Sequence, residues 1–223
     1  MPLPEPARAE IEELVAAVRE HADPNVRDVR WVRLDGLHLT LRFIGPVDES
    51  TIARLSAAVD AAAARTASFE GTIAGAGAFP STTRPRTIWL AVDDGADQLA
   101  AAAAQLEDFL AEAGVERSER PFRAHLTLAR ADGIRAGSDV ARRLIDAAGS
   151  QRTAFAATKL VLFETIAGGG PARYAPLHTA PLNLLGDVPE RDREETSAVL
   201  RSEPSAGDGT SVGARRKEQR PGT

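Results

Sequence analysis

The chain has 223 residues, 43% hydrophobic and 26% charged, with a net charge of −5 and no cysteine. That length supports one large domain or two small lobes with a real core. The acidic balance gives no global basic field for nucleic acid, though a local basic cleft is compatible with it. The missing cysteines exclude disulfides, thiolate metal sites and a cysteine nucleophile. No run of about 18 apolar residues reads as a membrane span, and no signal peptide precedes the first helix-like stretch, so a cytoplasmic location is expected.

Residues from Pro4 to about Ala22 carry Ile11, Leu14, Val15 and Val18 at helical spacing, which predicts an amphipathic helix stopped by Pro24-Asn25. Val29 to Leu34 and Leu37 to Ile44 read as strands joined by Asp35-Gly36, a type I′ hairpin signal. Gly45-Pro46 ends the second strand, and Asp48 or Ser50 caps a helix to about Arg65 with Ile52, Leu55 and Val59 inward. A strand is predicted from Phe69 to Ala74, then a loop over Gly75-Ala76-Gly77-Ala78-Phe79-Pro80-Ser81. Arg86 to Val92 reads as a strand, and Ala96 to Ala113 as an Ala-rich helix closed by Gly114. A further strand spans Phe122 to Ala129, and Ser138 or Asp139 caps a short helix to Ala148. Strands follow at about Ala154 to Glu164 and Tyr174 to Leu184, separated by Gly168-Gly169-Gly170-Pro171. Helices interleaved with hairpin-connected strands indicate an α+β domain over residues 1–186. The polar, aperiodic stretch 187–223 reads as a disordered tail.

Within this order the tetrapeptide His-Leu-Thr-Leu occurs twice, at residues 38–41 and 125–128, and takes two of the four histidines. A given His is followed by Leu-Thr-Leu by chance on the order of once in a thousand trials. In an extended chain His and Thr share one face and the two leucines the other. Each copy therefore anchors itself with leucine and presents an imidazole and a hydroxyl. If two similar lobes face each other, His38, His125, Thr40 and Thr127 meet in one cleft. An imidazole titrates near 6.5, so one of the pair can accept a proton from water while the other donates to a leaving oxygen. The threonine hydroxyls can hold phosphate oxygens. This combination suits metal-free cleavage of a strained phosphodiester better than of a monoester.

A lone His on a strand is ordinarily structural; two identical copies reverse that reading. Neither copy has a third His or a carboxylate at zinc-ligand spacing, so no metal is expected. His21 and His178 belong to no repeat and read as structural. Arg42 keeps the parity of His38 and Thr40 and is a weak candidate for phosphate attraction. Arg130 could clamp a phosphate, but strict alternation puts it on the leucine face unless the strand ends or bulges after Leu128. Phe43, Phe79, Phe122 and Trp89 offer stacking faces, although aromatic burial habits read them first as core. The glycine runs at 75–77 and 168–170 lack the Gly-Lys-Ser/Thr of a phosphate loop.

On these residues the chain resembles the 2H phosphoesterases, and more narrowly the RNA 2′,3′-cyclic phosphodiesterases, also called 2′-5′ RNA ligase-like proteins. The likeness covers about residues 3 to 185. Besides the motifs it rests on Leu3-Pro4-Glu5, Gly45, Gly77-Ala78-Phe79-Pro80, Arg86-Thr87-Ile88-Trp89-Leu90, and Phe122-Arg123-Ala124 leading into His125-Leu126-Thr127-Leu128-Ala129-Arg130. The resemblance implies a bilobal α+β fold with a cleft between two antiparallel sheets, and neither metal nor cofactor. It implies hydrolysis of a terminal 2′,3′-cyclic phosphate to a 2′-phosphate, on RNA 3′ ends or nucleosides; a monomer with no membrane partner is expected. By that pattern His38 donates to the departing 3′ oxygen and His125 activates water. Thr40, Thr127 and Arg130 hold the phosphate. Two features depart from the family: no hydrophobic strand precedes Leu3-Pro4-Glu5, and relatives lack a tail like residues 187–223. Readings kept beside hydrolysis are 2′-5′ ligation, action on another cyclic phosphodiester or a 2′-5′-linked oligonucleotide, and a binding module without chemistry.

Overall fold

A computed structural model describes residues 1–21, 28–168 and 170–184. The described residues form an α+β body with two antiparallel sheets. The first helix, α1 (Glu5–Glu20), begins after Pro4, with Glu5 in its first turn and Arg19 in its last, charges that suit the helix dipole. Its buried stripe is Ala7, Ile11, Leu14, Val15 and Val18, the face that its spacing predicts. The expected stop at Pro24-Asn25 and the tail at 187–223 lie outside the described residues.

The expected hairpin does not form. Strand β1 (Val29–Trp31) pairs antiparallel with β4 (His125–Ala131), not with the residues after Gly36. Asp35 and Gly36 belong instead to a 3-10 turn, Leu34–Gly36, with Arg33 holding the Asp35 carboxylate at 2.6 Å. A type I′ turn needs positive φ at both central residues, and Gly36 is not among the positive-φ glycines of the described chain. Leu37 and Leu39 are buried, and residues 37–39 run antiparallel to Met1–Leu3, with Leu3 N donating to Leu37 O and Leu39 N to Met1 O. Burial of these two leucines outweighs the local turn signal. The first motif thus sits in a short bridge flanking Pro2 rather than in a long strand.

A 3-10 turn (Glu49–Thr51) leads into α2 (Ile52–Arg65), which buries Leu55 and Val59; neither of the expected caps, Asp48 and Ser50, bonds it with its side chain. Strand β2 (Phe69–Phe79) is longer than expected, because residues 75–79 continue it instead of forming a loop. A bulge between Ile73 and Ala76 lets the strand bend, with Gly75 at φ +81°. β3 (Thr87–Val92), α3 (Ala96–Glu112) and Gly114 stand where the sequence places them. Helix α4 (Ile134–Ala148) starts a turn earlier than expected. Ser138 and Asp139 do not cap it: Ser138 Oγ donates to Thr83 O, and Asp139 pairs with Arg142 and Arg143. The single strand expected from Ala154 to Glu164 is two, β5 (Arg152–Ala157) and β6 (Lys159–Ile166), each in a different sheet. β7 is Arg173–Pro181.

The larger sheet has the order β1-β4-β3-β2-β5, with α1 and α4 packed against it; the smaller sheet is β6-β7, with α2 against it and α3 against α2. Leu126, Leu128, Ala129, Ile88 and Leu90 occupy the covered face of the larger sheet with 2% exposure or less. No described helix is long and apolar enough to cross a membrane.

Candidate active site

The two motif copies are attached to different sheets. His125 opens β4, near the middle of the larger sheet. His38 packs on the smaller one, its ring 5.4 Å from Phe163 of β6 and 4.5 Å from Tyr174 of β7. The link between them is short. Val32 N donates to Leu128 O at 2.9 Å, and the six residues from Val32 to His38 span at most about 20 Å even if fully extended.

In each copy the imidazole is fixed by the same device. His38 Nδ1 lies 2.8 Å from Gly36 O, and His125 Nδ1 lies 2.7 Å from Arg123 O. A carbonyl oxygen only accepts, so Nδ1 carries the proton in both rings and Nε2 is left for chemistry. Each ring also rests against a pair of aromatic residues that touch each other. For His125 these are Phe79, edge-on at 5.1 Å, and Trp89 at 6.2 Å. The likeness between the copies therefore extends from sequence to ring orientation. Burial holds the His38 pKa below the usual 6.5, against the opposing pull of the Gly36 carbonyl.

The face of β4 that carries His125 also carries Thr127 and Arg130. Strict alternation puts Arg130 on the leucine side, but the ladder between β3 and β4 is irregular there. Ile88 faces Ala129, while its neighbour Trp89 faces Thr127. The extra residue makes Leu128 and Ala129 both buried and returns Arg130 to the exposed face, opposite Thr87. Arg130 Nη1 donates to Thr87 Oγ1 at 3.3 Å, and its other donors have no partner among the described residues. Thr40 is exposed and Thr127 half-buried. Neither hydroxyl bonds a described residue, so both are open to a ligand. Brought to one ligand, these groups can hold an anionic oxygen by hydroxyl and guanidinium donors while one imidazole accepts a proton and the other donates one.

Arg42 is corrected. Its Nη1 and Nη2 donate to the carbonyls of Phe43 and Glu116, and its Nε pairs with Glu107 at 2.8 Å. It ties the segment after the first motif to the end of α3 instead of facing a phosphate. Of the aromatic candidates, Phe79 and Trp89 border His125, Phe43 is 72% exposed, and Phe122 packs against the core. His178 pairs with Asp60 at 2.7 Å, and His21 bonds Ala17 O at the end of α1. Phe163 and Tyr174 carry no signal in the sequence; they are half-buried on paired strands, and the register of β6 with β7 brings them to His38.

Trp89 lies flat across β2. A Cβ on Gly77 would stand 2.6 Å from two atoms of the indole, so glycine here permits close side-chain approach within a strand. Gly77→Ala is expected to push Trp89 off its seat and lower stability by about 1–3 kcal/mol, as overpacking does. Near-ultraviolet circular dichroism and urea unfolding check this; an unchanged Trp signal and midpoint would contradict it.

A model of the 2′-5′ RNA ligase superfamily matches residues 3–169. A protein named RNA 2′,3′-cyclic phosphodiesterase from Geobacillus stearothermophilus is 30% identical over 201 residues, covering 88% of this chain and 60% of that protein. One of the same name from Aeropyrum pernix is 36% identical over 107 residues, 48% of this chain and 60% of its own length. The chain thus matches about 60% of the length of these two relatives. Among solved structures, Escherichia coli LigT complexed with 3′-AMP superposes with a TM-score of 0.60 at 28% identity, covering 81% of this chain and 93% of that one. The duplicated His-Leu-Thr-Leu, the two sheets that hold it and the family match agree: the chain belongs to the 2′-5′ RNA ligase superfamily.

Proposed function

We propose that the chain hydrolyses 2′,3′-cyclic phosphates, at RNA 3′ ends or on nucleosides, to 2′-phosphates without a metal. Water adds to phosphorus, the bond from phosphorus to the 3′ oxygen breaks, and the 3′ oxygen leaves as a hydroxyl. His125 accepts the proton of water and His38 protonates the 3′ oxygen. Thr40, Thr127 and Arg130 hold the non-bridging oxygens as charge concentrates on them. The single observation that carries this reading is the repeat itself, two imidazoles fixed through Nδ1 in the same way beside open threonine hydroxyls. The names of the relatives support the cyclic phosphate as substrate. In this reading the chain works as a monomer in the cytoplasm.

The test is product analysis on 2′,3′-cyclic AMP and on cyclic-ended RNA in EDTA. A 2′-phosphate is expected; a 3′-phosphate, or no turnover, overturns the reading. The superfamily's name favours one alternative, the same site working in reverse on a 5′-hydroxyl. Joining of RNA halves through a 2′-5′ bond by the purified protein would establish it.

The pH profile carries its own expectation. As donor, His38 must be protonated, and burial lowers its pKa in the free protein. A bound phosphodiester anion raises it again. The alkaline limb of kcat, which reports the complex, is therefore expected at higher pH than the alkaline limb of kcat/KM, which reports the free protein. The opposite displacement would remove His38 from the donor role.

A further inference from the structure

Arg123 has a use that the hydrolytic reading leaves open. Its guanidinium carbon lies 5.7 Å from the centre of the Phe79 ring, the same ring that meets His125 edge-on. Several surface arginines are neutralised: Arg30 by Asp132, Arg33 by Asp35, Arg117 by Asp108, Arg152 by Asp93 and Asp94. Arg123 is exposed and has no carboxylate partner among the described residues, in a chain of net charge −5. A guanidinium stacked on an aromatic face keeps its N–H edges free for an anion.

Its position sets which anion. Arg123 precedes His125 by two residues, just ahead of β4, whereas Thr127 and Arg130 follow His125 along the strand. Two residues of chain reach at most about 7 Å, close to the spacing of successive phosphates along an extended nucleic-acid strand. We propose that Arg123, stacked on Phe79 beside His125, binds the internucleotide phosphate on the 5′ side of the terminal nucleoside and so makes an RNA end a better substrate than a cyclic mononucleotide. This rests on the hydrolytic reading above. Arg123 is a specificity residue in this account, and the proton transfers remain with the two histidines.

The experiment compares kcat/KM on 2′,3′-cyclic AMP and on a diadenosine dinucleotide ending in a 2′,3′-cyclic phosphate, for the wild type, Arg123→Ala and Arg123→Lys. Arg123→Ala is expected to lose about tenfold more on the dinucleotide than on the mononucleotide, the scale of one charge-assisted hydrogen bond at a partly exposed site. The loss falls on KM, and Arg123→Lys recovers part of it. The wild type's dinucleotide KM is expected to depend on salt more steeply than that of Arg123→Ala, by a logarithmic slope of about 0.7 for one single-strand phosphate contact. Equal losses on both substrates, or equal salt slopes, overturn this assignment while leaving hydrolysis intact. Turnover of neither substrate by the wild type overturns the hydrolytic reading, and this one with it.

Discussion

Replacing either motif histidine with alanine is expected to lower kcat/KM on 2′,3′-cyclic AMP by about 10³-fold, within the range of a lost general acid or base. The two losses are expected to be nearly equal, and the double variant only slightly worse than each single one, because acid and base act in one transition state. His125 is half-exposed, so its removal leaves the fold largely undisturbed. His38 packs against Phe163 and Tyr174, so alanine there also opens a gap. His38→Asn is the control, since its amide can still donate to Gly36 O in place of Nδ1. If His38→Asn folds with the wild-type urea midpoint and remains inactive, the loss belongs to chemistry. Undiminished turnover in both alanine variants would sink the acid–base pair altogether.

The repeat was legible because everything it specifies is local. Alternation along four residues separates imidazole and hydroxyl from leucine, and Leu39, Leu126 and Leu128 are buried as that pattern requires. Even the Nδ1 anchors are local, since each accepting carbonyl lies two residues back. What escaped the sequence is set by partners distant in the chain. Arg130 reaches the face of His125 only because the ladder with β3 takes up an extra residue, and nothing within β4 announces that. The Asp35-Gly36 signal is real as a turn preference, but β1 finds a better partner in β4 and leaves Leu37 and Leu39 to bury themselves. The glycines at 75 and 77 read as a loop from composition alone. In the fold one supplies the positive φ of a bulge and the other makes room for an indole from the next strand. Phe163 and Tyr174 reach His38 through a pairing across the Gly168–Pro171 region that no spacing reveals.

The leucines of the repeat carry the second large effect. Leu126 is fully buried, between His125 and Thr127 and on the opposite face of β4. Leu126→Ala is expected to lower unfolding free energy by about 3–4 kcal/mol, the upper part of the range for a leucine deleted from a close-packed interior. Leu41, the outer leucine of the first copy and the counterpart of Leu128, is only partly buried, so Leu41→Ala is expected to cost about 1–2 kcal/mol, mostly the transfer of its buried methyl groups. Urea unfolding at a common m value separates the two; equal losses would contradict the burial difference. The activity of the folded Leu126→Ala fraction then tests what the anchor does. His125 and Thr127 flank this residue on one strand, so a cavity beneath them loosens both at once. A displacement of about 1 Å in a reacting group can reduce turnover about a hundredfold. The expected signature is therefore a fall in kcat beyond the loss of folded protein, with the His125 ring still present. Wild-type kcat per folded molecule would show instead that the Nδ1 bond to Arg123 and the contacts with Phe79 and Trp89 hold the imidazole without help from the leucine below.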